Sequence, residues 1–87
     1  MIERIIKRDG REVPFEIDKI STAIYKAAEA IGGHNRGVAE ELAKQVEDYI
    51  EKEEKISTPT VEHIQDVVER TLIESGHSRT AKEYILY

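Results

Sequence analysis

The sequence predicts a small α+β domain in which a β-hairpin is followed by four helices. Its length of 87 residues fits one domain, so we treat residues 1–87 as a single unit. Asp9-Gly10 separates two runs of β-prone residues, which is a strong short-range signal for a hairpin. Four later segments repeat apolar residues at helical spacing, and turn or capping residues separate them.

The hairpin is expected to join residues 2–8 to residues 11–15 through a two-residue turn at Asp9-Gly10. A type I′ turn of this kind needs a positive φ at both central residues. Pro14 has no N–H to donate, so the second strand should be short or lie at an edge. This register pairs Arg8 with Arg11, Lys7 with Glu12 and Ile6 with Val13.

The helices follow in order, each with its own start or stop signal. We expect the first over residues 18–32 with Asp18 as N-cap, and the second over roughly residues 37–53. Thr58-Pro59 resembles an N-cap followed by proline at the first helical position, so the third helix should run from there to about Glu74.

A fourth helix should begin near Ser78, after a stop at Gly76, and a short strand at Ile56 is a further option in the linker before the third helix. Helical spacing assigns one set of residues to the core. That set is Ile20, Ala23, Ile24, Ala27, Ile31, Val38, Leu42, Val46, Tyr49, Ile50, Val61, Ile64, Val68, Leu72, Ala81, Tyr84 and Ile85.

Composition limits the function classes. The net charge of −5 argues against general binding to nucleic acid or to anionic membranes. The chain has no cysteine, which excludes disulfides, thiolate metal sites and a cysteine nucleophile within it. No signal peptide and no apolar run long enough for a bilayer are present, so we expect a cytoplasmic protein.

The charge is unevenly distributed, because residues 1–11 carry four bases and two acids while the rest carries nine bases and sixteen acids. Lys19 adds a cation to the first turn of a helix, where the helix dipole disfavours it. Together, Lys7, Arg8 and Lys19 predict a site for a small anion, with phosphate as the natural ligand. The alternative is that Arg8 and Arg11 simply extend into water, where screening makes their repulsion small.

Other chemistry has little support in the sequence. There is no GxxxxGK[ST] or GxGxxG motif, and no cluster offers a nucleophile, a base and an orienting group together. His34, His63 and His77 lack metal-ligand spacing, so we expect no protein-built metal site. Capping is the simpler explanation for the hydroxyls of Ser57, Thr58 and Thr60.

The segment KRDGREVPFEIDKISTAIYKA, residues 7–27, resembles the signature of the ATP-cone, the N-terminal regulatory domain of many ribonucleotide reductases. The segments ISTPTVEHIQDVVERTLIESG and TAKEYILY resemble the later helices of the same domain. The similarity covers essentially the whole chain, and its third and fourth helices are most similar to the anaerobic reductases. It implies a bundle of four helices capped by a β-hairpin or a short three-stranded sheet.

The resemblance also implies a binding site for ATP or dATP beneath the hairpin. Lys7, Arg8 and Lys19 would hold the phosphates, with Mg²⁺ accompanying them. Ile5 and Ile20 would line the base pocket, Thr58 would lie near the adenine and Glu16 near the ribose. Glu16 departs from the family, where aspartate is common at this position.

In the family, ATP permits reductase activity and dATP drives an inhibitory change of oligomeric state. We therefore expect an allosteric regulatory domain separated from a reductase rather than an enzyme. Its partners would be the reductase catalytic domain or another cone domain, with a nucleotide-dependent oligomer, and neither nucleic acid nor membrane. The alternative is a helical protein-interaction or DNA-binding accessory module, against which the net acidity counts.

Overall fold

The computed structural model describes residues 2–86 and confirms the α+β class. A two-stranded antiparallel sheet precedes four α-helices, and a π-helical turn extends the second of them. The elements are β1 (Arg4–Ile6), β2 (Glu12–Pro14), α1 (Ile17–Glu29), α2 (Arg36–Asp48), the π-helical turn (Tyr49–Glu53), α3 (Val61–Glu74) and α4 (Ser78–Leu86). No helix within residues 2–86 is both long enough and apolar enough to cross a membrane.

The helices form a closed bundle, because α1 contacts α2 and α4 while α3 contacts the same two helices. Apolar side chains fill the space between them, as the helical spacing predicts. The largest fully buried side chains are Ile24, Ile50, Leu72, Val46 and Val68. Val38 and Ile85 were predicted to face the core but are 36% and 59% exposed, whereas Tyr84 packs against the core.

The hairpin register differs by one residue from the predicted register. The strands pair Ile5 with Val13 and Ile6 with Glu12, and Lys7 N–H donates to the Arg11 carbonyl at 2.8 Å. The loop therefore holds three residues and ends at Gly10, whose φ of +87° suits glycine. Asp9 lacks the positive φ of a type I′ turn and instead accepts a hydrogen bond from Arg11 N–H at 3.1 Å.

The third segment of the predicted sheet is a single bridge rather than a strand. Ile6 N–H donates to the Pro59 carbonyl at 3.0 Å, and Ile6 forms a parallel bridge with Thr60. The contact thus lies just before α3, and the strand predicted at Ile56 is absent from the described residues. This bridge fixes β1 beside the first turn of α3.

Two helix starts were predicted wrongly. Helix α1 has Glu16 rather than Asp18 at its N-cap, and the Glu16 side chain makes no capping hydrogen bond. Helix α3 has Thr60 as its N-cap, and the Thr60 hydroxyl accepts from His63 N–H at 3.1 Å, so Thr58 is not its cap. The Pro59 carbonyl is engaged by β1, which explains why the helix begins after it.

Helix ends follow backbone hydrogen bonds that the sequence only partly specifies. The second helix changes to a π-helical turn, in which Glu54 N–H donates to the Tyr49 carbonyl at 3.1 Å. The predicted stop at Gly76 is confirmed. Gly76 has φ +85°, and His77 N–H donates to the Leu72 carbonyl at 2.7 Å in a Schellman arrangement.

Candidate functional site

A cavity of about 240 Å³ lies between the hairpin and the first turns of α1 and α3. The hairpin strand β1 is bonded to the residues before α3, and only Phe15 and Glu16 separate β2 from α1, so three elements converge there. The lining residues are Ile5, Lys7, Val13, Pro14, Phe15, Glu16, Lys19, Ile20, Ala23, Val61, Ile64, Gln65 and Tyr84. We call this the hairpin cavity.

The observed register explains why Val13 joins Ile5 and Lys7 at the hairpin cavity. Side chains two residues apart share a face of a strand, so Lys7 lies on the same face as Ile5, and Val13 is paired opposite Ile5. All three line the cavity. The exposed Lys7 side chain forms no ion pair among the residues that the structure describes, and it interacts with the Asp9 carboxylate only at longer range.

Lys19 lies in the first turn of α1, as predicted, and lines the same cavity. Its Nζ atom is 3.1 Å from Glu16 Oε2, and both side chains are exposed. The carboxylate offsets part of the unfavourable interaction between the Lys19 ammonium and the helix dipole. Lys19, which is predicted to bind phosphate, and Glu16, which is predicted to lie near the ribose, therefore form an ion pair with each other.

Arg8 lies outside the hairpin cavity. Its Nη2 donates to Gln65 Oε1 at 3.3 Å, and its Nε is 3.9 Å from Glu62 Oε2 on the first turn of α3. It borders a neighbouring cavity of about 360 Å³, which shares Ala23, Gln65 and Tyr84 with the hairpin cavity. We call this second space the α3 cavity.

Arg11 is neutralised within the hairpin loop. Its Nε lies 2.7 Å from Asp9 Oδ2, and its N–H binds the other carboxylate oxygen. The backbone N–H of Arg11 and then its guanidinium hold the pKa of Asp9 below its ordinary value. Because of the shifted register, Arg8 and Arg11 do not form the predicted cross-strand pair.

Five of the seven predicted site residues meet at the hairpin cavity, namely Ile5, Lys7, Glu16, Lys19 and Ile20. Thr58 is half-buried and is not among the lining residues. Arg8 borders the α3 cavity and also lines, together with Lys7, a space of about 310 Å³ at the hairpin loop. These are positions only, and the binding roles stay predictions. The cavity itself combines an apolar floor with two ammonium groups and one carboxylate at its edge.

Several wall residues were not singled out as site residues from the sequence. Val13, Pro14 and Phe15 lie within the signature segment, and the predicted register placed Val13 opposite Ile6 rather than Ile5. Gln65 and Tyr84 come from α3 and α4, and no local pattern marks them. Burial raises the pKa of the Tyr84 phenol, as expected for a side chain that packs against the core.

The family model of the ATP cone domain matches residues 3–87. This chain belongs to the ATP cone domain family. Three relatives agree with that assignment, and all three are ribonucleotide reductases by name. The domain family and the architecture predicted from the resemblance are thus confirmed together.

The ATP cone domain is 46% identical over 92 residues to the vitamin B12-dependent ribonucleoside-diphosphate reductase of Thermoplasma acidophilum, covering 100% of this chain and 12% of that reductase. It is 34% identical over 84 residues to the reductase of the same name from Mycobacterium tuberculosis strain CDC 1551, covering 97% of this chain and 12% of that reductase. The anaerobic ribonucleoside-triphosphate reductase of Salmonella typhimurium is 30% identical over 87 residues, covering 100% and 12%. This chain thus spans 12% of the length of each of these relatives.

Proposed function

We propose that this ATP cone domain binds ATP and dATP in the hairpin cavity and thereby regulates the overall activity of a ribonucleotide reductase. The observation that carries the proposal is the placement of Lys7 and Lys19 at the edge of an apolar cavity. A planar base with a polyanionic tail matches that combination, because the base gains from burial and the tail from the ammonium groups.

The residues that line the hairpin cavity determine how the ligand is oriented. Ile5 and Ile20 contact the base, Glu16 accepts a hydrogen bond from the ribose, and Lys7 and Lys19 bind phosphate oxygens. Ligand cavities usually measure about 300–1,000 Å³, so a cavity of about 240 Å³ holds only part of a nucleotide. The phosphates then extend past the edge, towards Arg8. Thr58 contributes near the adenine only if the segment before α3 moves inwards.

Magnesium fits this site through the nucleotide rather than through the protein. Within residues 2–86 no group of three or more His, Asp or Glu residues is arranged to hold a metal ion. The charged side chains at the edge of the cavity are mainly cations, which suit phosphate oxygens. The ion would therefore be held by the phosphates and would neutralise part of their charge.

Regulation follows from charge neutralisation. Bound phosphates draw Lys7 and Lys19 together, which docks the hairpin onto α1 and fixes the outer surface of the bundle. The partner that reads this surface is the reductase catalytic domain or another cone domain, and the response is a change of conformation or oligomeric state. ATP and dATP must then differ in pose or stoichiometry, because a ligand shifts an equilibrium only by its differential affinity.

The domain acts as a regulator and not as a catalyst in this proposal. The lining of the hairpin cavity contains no serine, threonine or histidine, and the chain has no cysteine. The reductase chemistry belongs to the remaining length of the related proteins, of which this chain spans 12% in the first relative.

The test is calorimetric titration with ATP, dATP and GTP in separate runs with magnesium. We expect saturable adenine-nucleotide binding, much weaker GTP binding, and at least tenfold weaker ATP binding in Lys19→Ala, since hydrogen bonds to charged groups contribute about 1.5–3 kcal/mol. Lys26→Ala, in the last turn of the same helix, is the matched control and should bind like the wild type.

Two outcomes would overturn the proposal. Absence of adenine-nucleotide binding in the millimolar range would remove the sensor function from this chain. Binding to DNA that weakens steeply with salt, together with no preference among free nucleotides, would favour the accessory-module alternative.

A further inference from the structure

Arg8 is held on α3 by two contacts, although the family resemblance assigns it to phosphate. Its guanidinium donates to Gln65 Oε1 at 3.3 Å and lies 3.9 Å from Glu62 Oε2. Gln65 also lines the hairpin cavity. Arg8 does not line the hairpin cavity, but it borders a further space of about 310 Å³ together with Lys7, Asp9 and Arg11.

The surface that Arg8 faces is acidic. Glu62, Asp66 and Glu69 are spaced four and three residues apart on α3, which places them along one face of the helix. Asp66 and Glu69 line the α3 cavity together with Arg8. This row of carboxylates attracts the guanidinium and repels a polyphosphate at the same time.

We propose that Glu62 and Gln65 are positioning residues that keep Arg8 away from the nucleotide until phosphates compete for it. The inference rests on the proposed function and specifies how the same site is regulated. Binding of a triphosphate exchanges the Glu62 and Gln65 contacts for charge-assisted contacts to phosphate. The Arg8 contacts to α3 therefore set the affinity for polyphosphates and leave the affinity for the nucleoside unchanged.

The expected effect is modest because the pair is exposed. The Arg8 and Glu62 side chains are 71% and 53% accessible, so water screens their attraction. Exposed ion pairs contribute little, and removal of the Glu62 charge should tighten ATP binding by about two- to fivefold. Gln65 is less suited to mutation, since it also lines the hairpin cavity.

The experiment is a double-mutant cycle of Glu62→Gln and Arg8→Ala, titrated with ATP and with adenosine. We expect Glu62→Gln to tighten ATP binding, to leave adenosine binding unchanged, and to have no effect when Arg8 is already alanine. Glu69→Gln is the matched control, because it removes the same charge from the same face of α3 without a direct contact to Arg8.

Each contrary outcome has a distinct meaning. Tightening that persists in the Arg8→Ala background shows plain repulsion of phosphate by Glu62 and overturns the positioning role. Equal tightening of adenosine, or an equal effect of Glu69→Gln, overturns it as well. If the wild type binds ATP and Glu62→Gln does not change that affinity, this inference alone is overturned. If the wild type does not bind ATP, the proposed function and this inference are both overturned.

Discussion

The two ends of the helical bundle both contain a cavity, but the cavities differ in charge. The hairpin cavity has Lys7 and Lys19 at its edge and a volume of about 240 Å³. The opposite end, where α1 leads into α2 and α3 into α4, has a larger cavity of about 360 Å³, which we call the far-end cavity. Its lining contains His34 and His77 but neither lysine nor arginine.

This difference shows that volume alone does not identify a polyanion site in this domain. The far-end cavity is mostly a gap above the core, since Ile24, Leu42 and Leu72 form its floor and are nearly fully buried. The hairpin cavity instead combines partly buried apolar residues with exposed cations on separate elements. We therefore expect the far end to determine stability and the hairpin end to determine binding.

The largest effect should come from Leu42→Ala at the far end. Leu42 is 4% exposed, and its truncation should cost about 2–5 kcal/mol of unfolding free energy because the enlarged space cannot collapse fully. Denaturant unfolding measures that loss. Titration at a temperature where the variant stays folded should give the wild-type ATP affinity. A weaker ATP affinity under those conditions would show that the two ends are coupled, and it would contradict the assignment of stability to one end and binding to the other.

The next effect should separate the two lysines at the hairpin end. Lys19 already has the Glu16 carboxylate 3.1 Å away, so phosphate only replaces one partner by another. Lys7 forms no ion pair among residues 2–86, where it interacts with the Asp9 carboxylate only at longer range, and it gains its first close charged contact from the ligand. Lys7→Ala should therefore weaken ATP binding more than Lys19→Ala, as measured by calorimetry. In Glu16→Gln the contributions of the two lysines should become similar. A larger loss in Lys19→Ala would contradict this ranking.

The helices were predictable because their signals are local. Apolar spacing identified the buried faces of α2 and α3, and Gly76 ended α3 as expected. The wrong helix starts have a tertiary cause. Thr58-Pro59 has a good local N-terminal signal, but the Pro59 carbonyl accepts a hydrogen bond from Ile6 N–H, so the N-cap of α3 lies two residues later, at Thr60.

The candidate site was predictable to the extent that it lies in the signature segment. Lys7, Glu16 and Lys19 are close in sequence, and the short connection from hairpin to α1 brings them together. Gln65 and Tyr84 join the wall only because α3 and α4 pack there, which no local pattern encodes. Arg8 was placed by resemblance, whereas its contacts depend on side chains of α3, 54 and 57 residues away in sequence.

The one-residue error in the predicted register arises because Asp9-Gly10 is compatible with two loop lengths. Asp-Gly suits a two-residue turn, but the same sequence can form a three-residue loop with only Gly10 at positive φ. The Asp9 carboxylate favours the longer loop by accepting from the backbone and side chain of Arg11. That loop pairs Val13 with Ile5, so Val13 joins the face on which Ile5 and Lys7 line the hairpin cavity.

The smallest effect concerns this loop and its pH dependence. Arg11 lowers the pKa of Asp9, so the contribution of the contact to stability is present above the ordinary aspartate pKa and is lost as pH falls through the lowered value. The Arg11 backbone amide, followed by NMR, should shift with a midpoint below about pH 3.9, the unperturbed aspartate value. The shift should be absent in Asp9→Asn, which cannot titrate. A midpoint at or above the unperturbed value would mean that Asp9 does not bind Arg11, and the two-residue turn with Lys7 opposite Glu12 would become the better description of the hairpin.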